Sequence, residues 1–231
     1  QQYFAVGNDA LDANTTADYN VAVGFAALGV NTTGDNNVAI GLSALDANTT
    51  ASNNVAVGGA SLGANTTGTR NVAVGAAALT DSTTATDNTA VGYDCLLRNT
   101  TGDQNTAVGS ASLDANTTGI RNHAFGVEAL TDCTTADNNT ALGHTALANV
   151  TTGSNNTGIG YNAGSSLTTG ATNVIVGVSC QPSAASGAGQ IVMGNTVTGV
   201  GNDNFTFGAG STDSNIEFGA TSITAPSDIR L

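Results

Sequence analysis

The sequence predicts an all-β fold, a parallel β-solenoid or β-roll wound in coils of seventeen residues. Three observations predict it. First, Asn20-Val21-Ala22-Val23-Gly24 returns as Asn37-Val38-Ala39-Ile40-Gly41, and its glycine recurs at 7, 24, 41, 58, 75, 92, 109, 126, 143, 160, 177 and 194 with no slip of one residue. A period of about 20 residues held without insertions marks stacked coils, each touching only its neighbours. Second, a leucine recurs in the other half of each coil, from Leu11, Leu28 and Leu45 to Leu130 and Leu147. Third, the chain is rich in Gly, Ala, Asn and Thr, with no Trp, two Pro and only 9% charged residues, far below the ~25% of ordinary domains.

Within each coil, Val21 and Val23 alternate with Ala22, as expected of a short strand whose successive side chains leave opposite faces. One face carries Val38/Ile40, Val55/Val57, Val72/Val74, Thr89/Val91 and Thr106/Val108, and the other carries Ala39, Ala56, Ala73, Ala90, Ala107, Ala124 and Ala141. Neither row reads as solvated, so both faces are expected to be buried. A coil this thin has one interior. The alanine row is therefore expected to be a methyl-lined flank covered by sister copies, in an intertwined or side-by-side homotrimer. The Leu row beside the Val/Ile row predicts two short strands facing across a thin core. The glycine after the strand allows a tight corner. The Asn-Thr-Thr segment, closed by Gly34, Ala51, Gly68, Ala85 or Gly102, makes the other corner, where stacked Asn and Thr can hydrogen-bond from coil to coil.

The solenoid is expected over residues 1–194, a β-rich neck over 195–226 and a short stub over 227–231. From Gly160 onward the pattern decays: Gly164 and Gln181 stand for the leucine, Ile175 and Val192 for the alanine, and Pro182 enters a corner. After Gly194 the aromatic runs Asn204-Phe205-Thr206-Phe207-Gly208 and Asn215-Ile216-Glu217-Phe218-Gly219 break the spacing. A chain that opens on Gln1 without Met reads as a fragment or a processed product.

Charge excludes several functions. There is no Lys, and Arg70, Arg98, Arg121 and Arg230 stand against seventeen acids, giving a net charge of -13. Nucleic acid is excluded as a partner, because phosphate binding needs a Lys/Arg footprint. Membrane insertion is excluded by the absence of any apolar run near ~20 residues.

Candidate chemistry is sparse. His123 holds a strand position occupied elsewhere by Val or Thr, and His144 follows a glycine corner; neither has a Ser, Cys or Asp partner at catalytic spacing. No enzyme is expected, since polysaccharide cleavage would need a paired carboxylate site. Asp18, Asp35, Asp103 and Asp137 recur at one corner, but Ser52, Thr69, Thr86 and Ile120 take the same place. The corner reads as a solvated turn rather than a Ca²⁺ site, and neither metal nor cofactor is expected. Cys95 and Cys180 replace Ala or Ser, and Cys133 replaces Asn, as small fillers rather than a disulfide set. The residue after the glycine varies most, so Phe25, Tyr93, His144 and Tyr161 are candidate exposed binding residues, with aromatic faces suited to sugar rings.

The Asn-Val-Ala-Val/Ile-Gly units over residues 3–194 resemble the head repeats of trimeric autotransporter adhesins. That resemblance implies a parallel β-roll assembled as a homotrimer, although the family's repeats are usually shorter. The closing Ser227-Asp228-Ile229-Arg230-Leu231 resembles the opening of the endosialidase-type intramolecular chaperone domain that follows phage tail fibres and tailspikes. It implies an autocleavage junction at Ser227 and Asp228, with the chaperone itself beyond the stub. Together the resemblances imply an extracellular structural fibre of a virion, a trimeric rod that positions or forms a surface for a host glycan or protein receptor. A bacterial surface adhesin and an ice-binding β-solenoid are the alternatives.

Overall fold

The structure is a computed structural model that describes residues 2–210 and 213–218. Each coil contributes one strand: β1 (Tyr3–Val6), β2 (Asn20–Val23), β3 (Val38–Ile40), β4 (Val55–Val57), β5 (Val72–Val74), β6 (Thr89–Val91), β7 (Thr106–Val108), β8 (His123–Phe125), β9 (Thr140–Leu142), β10 (Thr157–Ile159), β11 (Val174–Val178) and β12 (Ile191–Asn195). They pair in parallel, each with the next, in strict register: Ala22 stands beside Ala39, Ala39 beside Ala56, and so on. β13 (Asn204–Ala209) joins the same sheet in parallel after a step of fourteen residues, Ile191 pairing with Phe205. β14 (Ser214–Glu217) then turns back and pairs antiparallel with β13. At ~4.8 Å per strand, twelve coils make a rod on the order of 60 Å long.

The structure reverses the expected sides of the strand. The alanine row is inside the chain's own coil: Ala22, Ala39, Ala56, Ala73, Ala90, Ala107, Ala124 and Ala141 are all 0% exposed. The Val/Ile row lies on the outer face. The reason is volume. From Leu11 to Leu147 each coil already commits a Leu and a small residue (Ala, Ser or Cys), such as Leu28 and Ala27, to its narrow interior, and the strand side facing them has room only for a methyl. The alanines therefore need no sister copy to cover them.

A second strand is also absent from the repeating coils described. The wall carrying the Leu row is a succession of turns, with Ala26 and Leu28 in the left-handed region at φ 55 and 50. Holding a non-glycine residue there costs about 1–2 kcal/mol. Against that, full burial of the Leu side chain stabilises by about 1.5–3 kcal/mol, and the Leu28 N–H donates to the Ala44 carbonyl at 3.0 Å. Burial wins, and the strained turn repeats in coil after coil.

Beyond Gly160 the core is exchanged rather than lost. Gly164 replaces the Leu while Ile175 replaces the Ala of the next strand, and a β-carbon at Gly164 would lie 2.9 Å from Ile175 Cδ1. Ile175 reaches from the opposite wall into the space a leucine fills elsewhere, which conserves volume.

The other half of the interior is polar. Asn20, Asn37, Asn54, Asn71, Asn88, Asn105, Asn122, Asn139, Asn156 and Asn173 are buried, one per coil. In this ladder Asn37 donates its Nδ2 to the Ala51 carbonyl at 2.8 Å, and its backbone N–H donates to Asn20 Oδ1 at 2.8 Å. A second ladder runs through Asn31, Asn48 and Asn65, where Nδ2 of Asn48 donates to Asn31 Oδ1 at 2.9 Å and to the Ala51 carbonyl at 3.0 Å. The expected coil-to-coil bonding of Asn is thus present, but in the interior rather than at a wet corner.

The second ladder has two faults. Its acceptor on each coil is served by the Asn of the next, so Ser82 leaves Asn65 Oδ1 without a partner, and Cys133 leaves Asn116 Oδ1 without one. An unpartnered buried acceptor costs about 1–3 kcal/mol. Ser82→Asn is accordingly expected to raise stability by about 1–3 kcal/mol, measured as an upward shift of the urea midpoint. A lower midpoint would show that Ser82 fits a space too small for an amide.

Candidate interaction surfaces

With the alanines inside, the outer face of the sheet carries two parallel columns. One runs Val21, Val38, Val55, Val72, Thr89, Thr106, His123, Thr140, Thr157, Val174 and Ile191. The other runs Val23, Ile40, Val57, Val74, Val91, Val108, Phe125, Leu142, Ile159, Val176 and Met193. Neither contains Asp, Glu, Lys or Arg. Exposure reaches 40% at Ile40, 39% at Phe125, 50% at Leu142 and 41% at Met193. The second column is an unbroken apolar stripe, while the first is interrupted by Thr89, Thr106, His123, Thr140 and Thr157; a stripe of this length is a candidate interaction surface. Sequence reasoning had these residues filling the coil. The signal that places them outside is His123, which an outer face accepts and a methyl-sized interior does not.

The four candidate binding residues all lie on the surface just beyond the Gly corner: Phe25, Tyr93 and Tyr161 are 53%, 61% and 56% exposed, and His144 is exposed as well. The structure brings two of them together. His144 and Tyr161, on consecutive coils, stack with ring centroids 5.6 Å apart and planes 17° from parallel. Phe25 and Tyr93 stand apart from that pair, four coils from each other along the same column. Tyr19, 61% exposed at the Asn corner, is a further surface aromatic that the sequence reading did not single out.

The carboxylate corner has a definite task. Asp35 Oδ1 accepts the backbone N–H of Asp18 at 2.7 Å, Asp103 Oδ1 that of Thr86 at 2.7 Å, and Asp137 Oδ1 that of Ile120 at 2.8 Å. Asp18 accepts from the Gln2 N–H at 2.8 Å. Each carboxylate caps a backbone donor one coil earlier, and Ser52 and Ser154 hydroxyls do the same at 2.9 and 3.0 Å. That shared duty explains why Asp and Ser interchange at this position. Among the described residues, no group of three or more His, Cys, Asp or Glu is placed to hold a metal ion. Arg70 and Asp87, one coil apart, form an exposed ion pair with Nε and Oδ1 2.6 Å apart. The guanidinium hydrogen bond holds the Asp87 carboxyl below its ordinary range.

Two threonine columns line the Asn-Thr-Thr corner. In the first, Thr32 Oγ1 donates to the Thr49 carbonyl at 3.0 Å, and Thr100 Oγ1 to that of Thr117 at 3.0 Å. In the second, Thr33, Thr50, Thr67, Thr84, Thr101, Thr118, Thr135, Thr152 and Thr169 all face solvent. The Asn-Thr-Thr sequons place their asparagines inside: Asn31, Asn48, Asn65, Asn99 and Asn116 are 0% exposed, so a folded coil withholds them from a glycosyltransferase. The three cysteines are free and buried, and burial pushes the Cys95 and Cys133 thiols up to about 12. The expected junction Ser227 and Asp228 lies outside the described residues. No family model, curated protein or solved structure matches this chain.

Proposed function

We propose that this chain is a shaft segment of an extracellular fibre. Copies bundle side by side through the outer sheet face as a homotrimer, with residues 195–226 as its neck, and the corner rows bearing Phe25, Tyr93, His144 and Tyr161 face outward toward a host glycan or protein receptor. The role is structural and adhesive, not catalytic.

The observation that carries this reading is the outer face, free of Asp, Glu, Lys and Arg and bearing an unbroken apolar column from Val23 to Met193. Twelve strands at ~4.8 Å and three residues at ~3.3 Å give a planar face of roughly 600 Å². That approaches the ~800 Å² each partner contributes to a standard stable interface. The chain carries a net charge of -13, so copies repel wherever their acids approach; the sheet face lets them meet with no acid between them. Trimer stoichiometry follows the resemblance to adhesin heads. The virion assignment follows the resemblance at Ser227 and Asp228, and a bacterial surface adhesin is the alternative that keeps the same rod.

Sedimentation equilibrium at micromolar concentration tests the bundle. A mass three times that of the chain is expected, falling to the monomer in Val57→Asp/Val91→Asp, which adds charge to the outer face and leaves the core untouched. A wild-type monomer would remove the reading. The solvent-facing threonine column favours one second reading, adsorption to ice, which a thermal hysteresis assay on the same sample decides.

A further inference from the structure

A face built of near-identical coils has a register problem. Sliding one copy by a single coil along another restores every contact except the last, about one-twelfth of the total, so burial alone hardly distinguishes neighbouring registers. Two departures from uniformity break that symmetry here. The first column switches from Val to a polar block, Thr89, Thr106, His123, Thr140 and Thr157, and back to Val174. At the centre of that block the second column carries Phe125, larger than the Val91 and Val108 before it.

We infer that, in the parallel bundle of a homotrimer, this polar block with Phe125 at its middle is the register key of the assembly, holding the copies in step; the inference rests on the side-by-side bundle proposed above. Thr and Val are nearly the same shape, so shape does not oppose a slip; the hydroxyl does. Among the described residues the outer-face hydroxyls of Thr89, Thr106, Thr140 and Thr157 have no hydrogen-bond partner, so once covered in a bundle they need one on another copy. Aligned, threonine meets threonine and hydroxyls pair across the contact. After a slip of one coil, Thr89 faces Val72 and Thr157 faces Val174, and two hydroxyls per contact are buried against methyls without a partner. Phe125 acts in the same sense. In step, the large rings share one layer, whereas after a slip of one coil each faces Val108 or Leu142 of another copy in a layer of its own. The arrangement parallels a single polar residue that fixes the alignment of a coiled coil at some cost in stability.

Disulfide mapping on the full chain tests this. Cysteines are placed at Val55 or Val57 on β4 and at Val72 or Val74 on β5, and singly substituted chains are mixed, assembled and oxidised. Buried Cys95, Cys133 and Cys180 stay out of reach. In the wild-type background, cross-links are expected between equal coils and not between β4 and β5. Replacing the block (T89V, T106V, H123V, T140V, T157V and F125V) gives a more uniform face, without hydroxyls or rings, whose β4-to-β5 cross-links are expected to rise about thirtyfold or more relative to equal-coil ones. The inference is overturned if the uniform variant keeps the equal-coil pattern, if the wild type already cross-links between coils, or if a sedimenting assembly gives no outer-face cross-link. A monomer in sedimentation instead removes the underlying bundle.

Discussion

Gly92→Ala is expected to divide the rod. Gly92 holds φ 142, and a β-carbon there would lie 2.5 Å from the carbonyl oxygen of Gly109 on the next coil. That backbone region is essentially closed to L side chains and costs about 1–3 kcal/mol by itself. The clash adds to it, because the obstacle is the backbone of a coil fixed by its own hydrogen bonds. Gly92 N–H donates to the Val74 carbonyl at 2.8 Å, and Gly109 N–H to that of Val91 at 2.8 Å, so neither coil can retreat without breaking the ladder. A loss of about 4 kcal/mol or more is expected at the central junction. Because stability in a stacked array is a sum over coils and their junctions, the effect should appear as a change of mechanism. Urea unfolding followed by circular dichroism should separate into two transitions, where the parent shows one. A single transition shifted by less than 1 kcal/mol would mean that the corner relaxes freely.

The second large effect is expected from Asn105→Leu, a change to an apolar side chain of similar size. Asn105 donates Nδ2 to the Gly119 carbonyl at 2.8 Å, accepts the Asn122 N–H at 2.9 Å and sends its own N–H to Asn88 Oδ1 at 2.9 Å. Leucine removes the first two bonds; the Gly119 carbonyl keeps the bond from Asn116 Nδ2 at 3.0 Å, but the buried Asn122 N–H is left unsatisfied at a cost of about 1–3 kcal/mol. A destabilisation of about 1–3 kcal/mol is expected. Added apolar volume does not offset it, because the loss lies in groups belonging to neighbouring coils. Chemical denaturation measures it, and a neutral result would show that the ladder is replaceable by packing. Asn139→Leu should cost more, about 2–6 kcal/mol, since Asn139 makes the equivalent bonds to Gly153 and Asn156 while Val150 stands where Asn116 supplies the second donor to the carbonyl.

Much of this architecture was legible in the sequence, for physical reasons that also mark where legibility ended. The unbroken glycine spacing fixes coil length and parallel stacking, because only a regular coil can return the same corner at the same height. The glycine corner itself was readable, since few residues tolerate φ near 140. Which face of the strand points inward was not. Alternation assigns two sides without naming them, and both rows are apolar. The clue lay in tolerance: the alanine row holds one size from Ala22 to Ala141, as a close-packed interior demands, while the other row accepts Val, Thr, His, Phe and Leu. The missing second strand was beyond reading, since Leu28 in a left-handed turn defies its own preference and is held there by burial. Among the site residues, exposure of Phe25, Tyr93, His144 and Tyr161 followed from their variability. The stacking of His144 on Tyr161 needed the register, and the outer apolar face could be found only after the sides were assigned.

From Asn20 to Asn173 one feature repeats at each junction: the side-chain carbonyl oxygen of an asparagine accepts the backbone N–H of the asparagine on the following coil. Reach is therefore a quantity that can change in fixed increments: excising or duplicating one seventeen-residue unit alters the span by ~4.8 Å and keeps that ladder continuous. Such a molecule behaves as a ruler whose graduations are written in its gene, adjustable by recombination between near-identical segments with no need to redesign an interior.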